Sequence, residues 1–274
     1  MGYLPLSAII VVKNAEKTLD DCLKSVRRNN PAEIIIIDGM STDRTLEISR
    51  AYTERIYCDE GKGVSVAHQI GAEQAAQEYL AYIDSDIILT DGALAAMLEE
   101  FKAGGYANLQ ATVLPRDDST YWARAIEQHV QLIRKRNPGG LSTALLRKDV
   151  TLKIGFDPSI KVAGDDVDFL TRLKKQGYKP GISPVVVYHW HPDSMKSLFR
   201  ERLWYGRAKP PLIKKLGPWN AGLWAPLVMG YWLSFCIIKG KWNLLPYFMV
   251  FGIADNAGMV KGFFEMVTAR KKSL

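Results

Sequence analysis

Over its first two-thirds the chain alternates short, continuous apolar runs with segments of helical periodicity, and this alternation constrains the fold more than any other feature. Ser7–Val12 and Glu33–Asp38 are such runs, the second holding four consecutive isoleucines. Tyr79–Ile83 is a third, and an acidic cluster follows it. A strand with one wet face alternates in polarity, whereas an unbroken run marks a strand covered on both faces. Between the runs lie Glu16–Asn29, with Leu19, Cys22, Leu23 and Val26 on one stripe, then Asp43–Tyr52 and the alanine-rich Val64–Gln77. These read as helices. Strands alternating with helices give an α/β fold, here a mostly parallel, Rossmann-like sheet flanked by helices.

The middle of the chain is less regular. Asp91–Lys102 and Ser119–Arg136 read as helices and Asn137-Pro138-Gly139-Gly140 as a break. Asp165–Gln176 reads as a helix and Val185–Tyr188 as a short strand. After Pro210 the composition changes. Leu216–Ile238 carries no charge, and it reaches the about 20 apolar residues that a bilayer span requires. Trp219, Trp224, Tyr231 and Trp232 suit an interfacial aromatic belt, with Lys214 and Lys215 before the run and Lys239 and Lys241 after it. A second run, Trp242–Val260, is interrupted by Pro246 and Asp255; it can span a bilayer, dip into it or lie flat on it. The tail Ala269-Arg270-Lys271-Lys272 is basic. A small lobe of buried helices is the soluble alternative. The expected division is a catalytic domain over residues 1–210 and apolar, membrane-associated helices over 211–274.

The 47% hydrophobic content is enough for a substantial core, and charges of mixed sign exclude a disordered chain. The net charge of +7 suits phosphorylated substrates, an anionic membrane or nucleic acid. Lysines and arginines crowd beside apolar segments, which favours a membrane over nucleic acid. Cys22, Cys58 and Cys236 have no metal-ligand spacing and point to a reducing compartment. The apolar run Ala8–Val12 is too short for a signal peptide. The expected location is therefore the cytoplasmic face of the cell membrane.

Four clusters carry chemistry. Tyr82-Ile83-Asp84-Ser85-Asp86 places two carboxylates where a buried strand ends, and ligands of open α/β sheets bind outside such ends. Paired carboxylates suit Mg²⁺ or Mn²⁺ shared with a substrate phosphate, although Asp-x-Asp alone is more often a polar turn. Ile37-Asp38-Gly39-Met40-Ser41-Thr42-Asp43 also follows a strand; Ser41, Thr42 or Asp43 can cap the next helix, which leaves Asp38 to meet a ligand. Asp165, Asp166 and Asp168 surround a helix start, where acids favour the dipole and where adjacent carboxylates can raise one pKa for a general base. His189-Trp190-His191 ends the late strand. Of these two histidines, one is expected as a ligand and the other as structural, since a lone histidine is more often structural than ligating. Gly61-Lys62-Gly63 is a permissive loop able to approach phosphate.

Taken in order, these pieces resemble the family 2 inverting glycosyltransferases with their GT-A nucleotide-sugar fold, over roughly the first 210 residues. The resemblance implies a nucleotide-sugar donor, UDP-, GDP- or dTDP-linked, and Mn²⁺ or Mg²⁺ as cofactor. It implies that Val12, Asn14 and Glu16 form the nucleotide-binding turn, that Asp38 with Ser41 reads the base or ribose, and that Lys62 and Gly63 belong to the loop over the donor. Asp84, Ser85 and Asp86 match its metal motif: Asp84 and Asp86 as ligands, Asp84 and Ser85 also facing the donor. Gly164-Asp165-Asp166 is similar to the motif whose second acid is the base, which implies Asp166 as base and Asp165 as a donor contact. His191, with His189 second, resembles the late histidine that helps hold metal and diphosphate. The chain departs from the pattern at Asp165, where Glu is more usual, and at His68, where Asn or Arg is.

The expected reaction is a single displacement that inverts the sugar carbon, onto a membrane-proximal or lipid-linked acceptor, with no nucleic acid involved. A catalytically inactive, membrane-bound sugar-nucleotide scaffold is the alternative. A nicotinamide dehydrogenase or a P-loop enzyme would need glycine-rich loops that Val12-Lys13-Asn14-Ala15 does not supply.

Overall fold

The computed structural model describes residues 2–117, 119–134, 140–217 and 224–272, in two compact units. The first comprises Met1–Arg116, Ile133–Lys161 and Asp165–Trp190; the second comprises Asp117–Leu132, Val162–Gly164 and His191–Leu274. Where the sequence suggests one boundary at residue 210, the compact units interleave along the chain.

The first unit is built on an eight-stranded sheet: β1 (Leu4–Val12), β2 (Pro31–Asp38), β3 (Ile56–Cys58), β4 (Tyr79–Tyr82), β5 (Ile87–Leu89), β6 (Asn108–Pro115), β7 (Ala144–Arg147) and β8 (Pro180–His189). Their order is β3-β2-β1-β4-β7-β6-β8-β5. Strand β1 lies between β2 and β4, parallel to both, and β2 is parallel to β3. Beyond β4 the pattern changes. β7 runs antiparallel to β4 and to β6, and β5 antiparallel to β8. β6 and β8 pair in parallel, so four of the seven strand pairs are parallel and the sheet is mixed, its antiparallel pairs lying beyond β4 where the first three runs did not reach.

The continuous apolar runs serve two faces. Leu6, Ala8, Ile10 and Val12 of β1 pack with Leu19, Cys22, Leu23 and Val26 of α1 (Leu19–Arg28). Ile9 faces the other way with Ile35 and Ile37, against Ala67 and Ala72 of α3 (Val64–Gln74). Each fully buried isoleucine contributes on the order of 1.5–3 kcal/mol, so the isoleucine run holds β2 between β1 and β3 with both faces covered. The helices α2 (Thr45–Arg50), α4 (Ala93–Gly104), α6 (Lys148–Ile154) and α7 (Asp165–Lys175) complete the unit, α7 burying Phe169, Leu170 and Leu173.

The second unit is helical: α5 (Tyr121–Arg134), α8 (Met195–Leu216), α9 (Ala225–Ile238) and α10 (Leu245–Lys272). A capping box of Ser194 and Ser197 starts α8. Trp232 stacks on Phe248 with centroids 4.8 Å apart, and His129 Nδ1 sits 2.9 Å from the Tyr247 hydroxyl. A side chain at Gly206 or Gly258 would collide with the backbone of the facing helix, so α8 and α10 lie close. Lys209 and Asp255 form a buried ion pair between them. Among the described residues, no helix is long and apolar enough to cross a membrane. Residues 218–223, inside the charge-free run and including Trp219, lie outside the described residues, as do 137–139 of the expected break.

Candidate active site

Strand register brings the loops together. Val12 pairs with Asp38 and Ile9 with Tyr82, so the turns after β1, β2 and β4 leave the sheet at one edge. That edge is where open α/β sheets take ligands.

The first two turns are bonded to each other. Ser41 Oγ accepts the Asn14 N–H at 2.9 Å, and Asn14 Oδ1 accepts the Thr42 N–H at 2.8 Å. Thr45 Oγ1 accepts from Ala15 N–H, and the Glu16 carboxylate accepts from Arg44 N–H. Asn14 holds a positive φ of 51°, a conformation that asparagine tolerates better than most residues. The carboxylate of Asp38 is buried and accepts the Ser41 N–H. Val12 contributes backbone here: its side chain lies in the core and its carbonyl accepts the Gly39 N–H at 2.8 Å.

The third turn depends on a residue the sequence reading passed over. Asp59 is buried and accepts the N–H groups of Gly61 at 2.7 Å and Gly63 at 3.1 Å, which folds the Gly61-Lys62-Gly63 loop. Gly63 has φ 104°, and a Cβ there would come within 2.5 Å of the Lys161 carbonyl oxygen. Lys62 is exposed and paired with Glu60 at 2.6 Å.

Asp84, Ser85 and Asp86 join β4 to β5, all partly buried. Asp84, Asp86 and His189 each offer a ligand atom, and these atoms lie within 4.8 Å of one another. His189 reaches the pair through register: β8 runs antiparallel to β5 with His189 opposite Ile87, which places Nε2 3.2 Å from Asp86 Oδ1. Arg116 and Trp190 secure that strand end. The Arg116 N–H donates to the His189 carbonyl, the Trp190 N–H donates to the Asp86 carbonyl, and the Arg116 guanidinium lies 3.9 Å over the Trp190 ring. His191, the first choice from sequence, belongs to the second unit and is not a member of the gathered group. Desolvation and the charge of Asp86 raise the pKa of Asp84, which also bonds Ser142. A divalent cation would relieve that repulsion. Two carboxylates and an imidazole form a donor set that fits Mn²⁺ or Mg²⁺ and leaves positions for phosphate oxygens.

Asp165 and Asp166 open α7, where their charge suits the helix dipole. Burial and the charge of Asp165 push the pKa of Asp166 up to about 6, with Asp84 adding to the shift. Asp165 is buried against His68, Nδ1 to Oδ2 2.6 Å. Burial opposes a charge on His68, but the Asp165 carboxylate prevails and raises its pKa. His68 packs against Tyr82 and Phe156, and its carbonyl accepts the Tyr82 hydroxyl. This pairing gives physical sense to the two departures noted in the sequence: an aspartate and a histidine replace the more usual residues and meet each other. His68 lies in an alanine-rich helix, where the sequence marks it as a departure but not as the partner of Asp165.

The sequence profile of Glycosyl transferase family 2 matches residues 7–157. Glycosyltransferase AglE of Haloferax volcanii is 26% identical over 63% of this chain and 62% of its own length, so the chain spans less than two thirds of that relative. A Methanococcus voltae enzyme is 24% identical over 77% of this chain and 74% of its own; its name is dolichyl N-acetyl-α-D-glucosaminyl phosphate 3-β-D-2,3-diacetamido-2,3-dideoxy-β-D-glucuronosyltransferase. Among solved structures, glucosyl-3-phosphoglycerate synthase from Mycobacterium tuberculosis, in complex with Mn²⁺, UDP-glucose and phosphoglyceric acid, superposes with a TM-score of 0.53. It is 16% identical over 73% of this chain and 77% of that one, a likeness of fold.

Proposed function

The chain belongs to glycosyl transferase family 2 and is a glycosyltransferase enzyme, and from that premise we propose its reaction: transfer of a sugar from a UDP-, GDP- or dTDP-linked donor, with inversion, to a lipid-linked acceptor at the cytoplasmic face of the cell membrane. The observation that supports this reading is the gathered Asp84–Asp86–His189 group after β4, with Asp166 opening α7, its pKa pushed up to about 6 by burial and the charge of Asp165.

Asp84, Asp86 and His189 would hold Mn²⁺ or Mg²⁺, which when bound supplies Lewis-acid neutralisation of the leaving diphosphate. Asp38 meets the nucleoside from its buried position, the Asn14–Ser41 lock sets the turn around it, and Lys62 offers its charge to the phosphates. Asp166 takes the proton from the attacking hydroxyl; a base that titrates near the working pH is suited to that transfer. Asp165, fixed by His68, keeps its place as the first acid and holds the pKa of Asp166 up. The acceptor class is supported by the name of the Methanococcus voltae relative and by the basic, apolar character of the second unit. The names of relatives support a role in envelope glycan assembly, as with lipopolysaccharide core biosynthesis glycosyltransferase LpsC of Rhizobium meliloti.

The test is Asp166→Asn. Turnover on a lipid-linked acceptor should fall by about 10²–10⁴-fold while metal-dependent donor binding stays near normal. Near-normal turnover would remove Asp166 as the base.

A further inference from the structure

The longest helix of the second unit is apolar on the wrong side for a helix in water. Met249, Ile253, Val260, Phe263, Phe264 and Val267 of α10 are all exposed, Phe264 by 64%. At 100° per residue they fall within an arc of roughly 100°, and the stripe runs roughly 27 Å along the axis. The opposite side is buried and holds Phe248, Phe251, Ala254, Gly258 and the Asp255 carboxylate paired with Lys209. Large apolar groups outside as well as inside depart from the usual amphipathic arrangement, in which the outer face is polar. An exposed apolar surface of this extent marks a contact with something apolar.

Charge says what that something is. The second unit carries 14 lysines and arginines against seven aspartates and glutamates. The first unit carries 22 of each. The whole net charge of +7 therefore resides in the unit with the apolar stripe. A groove of about 560 Å³ adjoins the stripe and shares Ile253 with it; Met195, Phe199 and Val250 line it together with Lys196 and Arg200. Cations beside an apolar groove match an acyl chain with an anionic headgroup above it.

We propose that α10 and the α8 groove lie in the plane of an anionic bilayer, with the α10 stripe in the acyl boundary and Lys196 and Arg200 among the headgroups. This rests on the membrane-facing reaction above and adds the surface and its mode of contact. The absence, among the described residues, of a helix able to cross a membrane accords with in-plane contact. A protein partner would bury the stripe equally well but would not call for an excess of positive charge spread over the whole unit.

The experiment is flotation of the full chain with vesicles of phosphatidylcholine alone or of three parts phosphatidylcholine to one part phosphatidylglycerol. UDP binding with Mn²⁺ is measured on the same samples. The expected result is binding to the anionic vesicles that weakens with salt. Phe263→Ser with Phe264→Ser, and separately Lys196→Glu with Arg200→Glu, should each weaken it by at least about tenfold with nucleotide binding retained. The phenylalanines are exposed, so their replacement leaves the folded core intact, and circular dichroism verifies this. Wild-type protein that binds nucleotide but ignores anionic vesicles would overturn the proposal and leave the assigned reaction standing. So would a dimer, seen by light scattering, that the phenylalanine pair disrupts while vesicle binding is absent. Vesicle binding without nucleotide binding would preserve the surface and count against the reaction.

Discussion

Helices α1 and α10 both bury apolar residues and differ in what their outer sides carry. In α1, Leu19, Cys22, Leu23 and Val26 are buried, and Asp20, Lys24 and Arg28 meet solvent. In α10 a glycine and an ion-paired aspartate are buried, and two adjacent phenylalanines are exposed. Helical propensity does not separate them; the side chains on the outer face do. The first unit keeps apolar side chains inside its sheet and helices and has its charges balanced. The second combines excess positive charge with outward apolar side chains, the combination expected of a surface built to meet lipid.

This contrast can be broken by paired truncations. Leu23→Ala removes a side chain wholly inside the first core and should cost about 2–5 kcal/mol in urea unfolding of the full chain. A cost below about 1 kcal/mol would mean that α1 does not anchor its unit. A smaller effect sharpens the contrast through pH. Asp166 is a carboxylic acid whose pKa is raised to about 6, so it keeps its proton to higher pH than an ordinary aspartate and is the competent base only above that value. Transfer should fall by about tenfold per pH unit below 6. Vesicle binding, carried by lysine and arginine, should stay flat over the same range. Parallel decline of both would show that the two units do not differ in this way. The smallest effect is expected from Val260→Ala on the outer stripe, within about 0.5 kcal/mol in detergent-free buffer, as for an exposed position without special contacts. A loss comparable to that of Leu23→Ala would place Val260 in a core.

Much of this was legible in the chain. β1, β2 and β4 announce themselves because strands covered on both faces need no polar alternation, and their ends locate Asp38 and the Asp84–Asp86 pair. β6 and β7 were not legible: Asn108–Pro115 mixes polar and apolar residues, and the antiparallel turn of the sheet depends on pairings far apart in sequence. The choice between His189 and His191 was also beyond the sequence, because it depends on the β5–β8 register. The His68–Asp165 pair joins residues 97 positions apart: each was visible as a departure, but their contact was not. In the second unit, apolar length was legible but not which of its side chains face outward. A helix apolar inside and one apolar outside look alike until α8 supplies the packing partner.

The most direct test of the central claim is calorimetric binding of UDP-, GDP- and dTDP-sugars with Mn²⁺, Mg²⁺ or EDTA, comparing the unaltered chain with Asp86→Ala. The account predicts that one donor class binds with metal, that EDTA abolishes the binding, and that Asp86→Ala weakens it by at least about tenfold. Binding that is indifferent to both EDTA and Asp86→Ala would contradict the assignment of the Asp84–Asp86–His189 group as the metal centre.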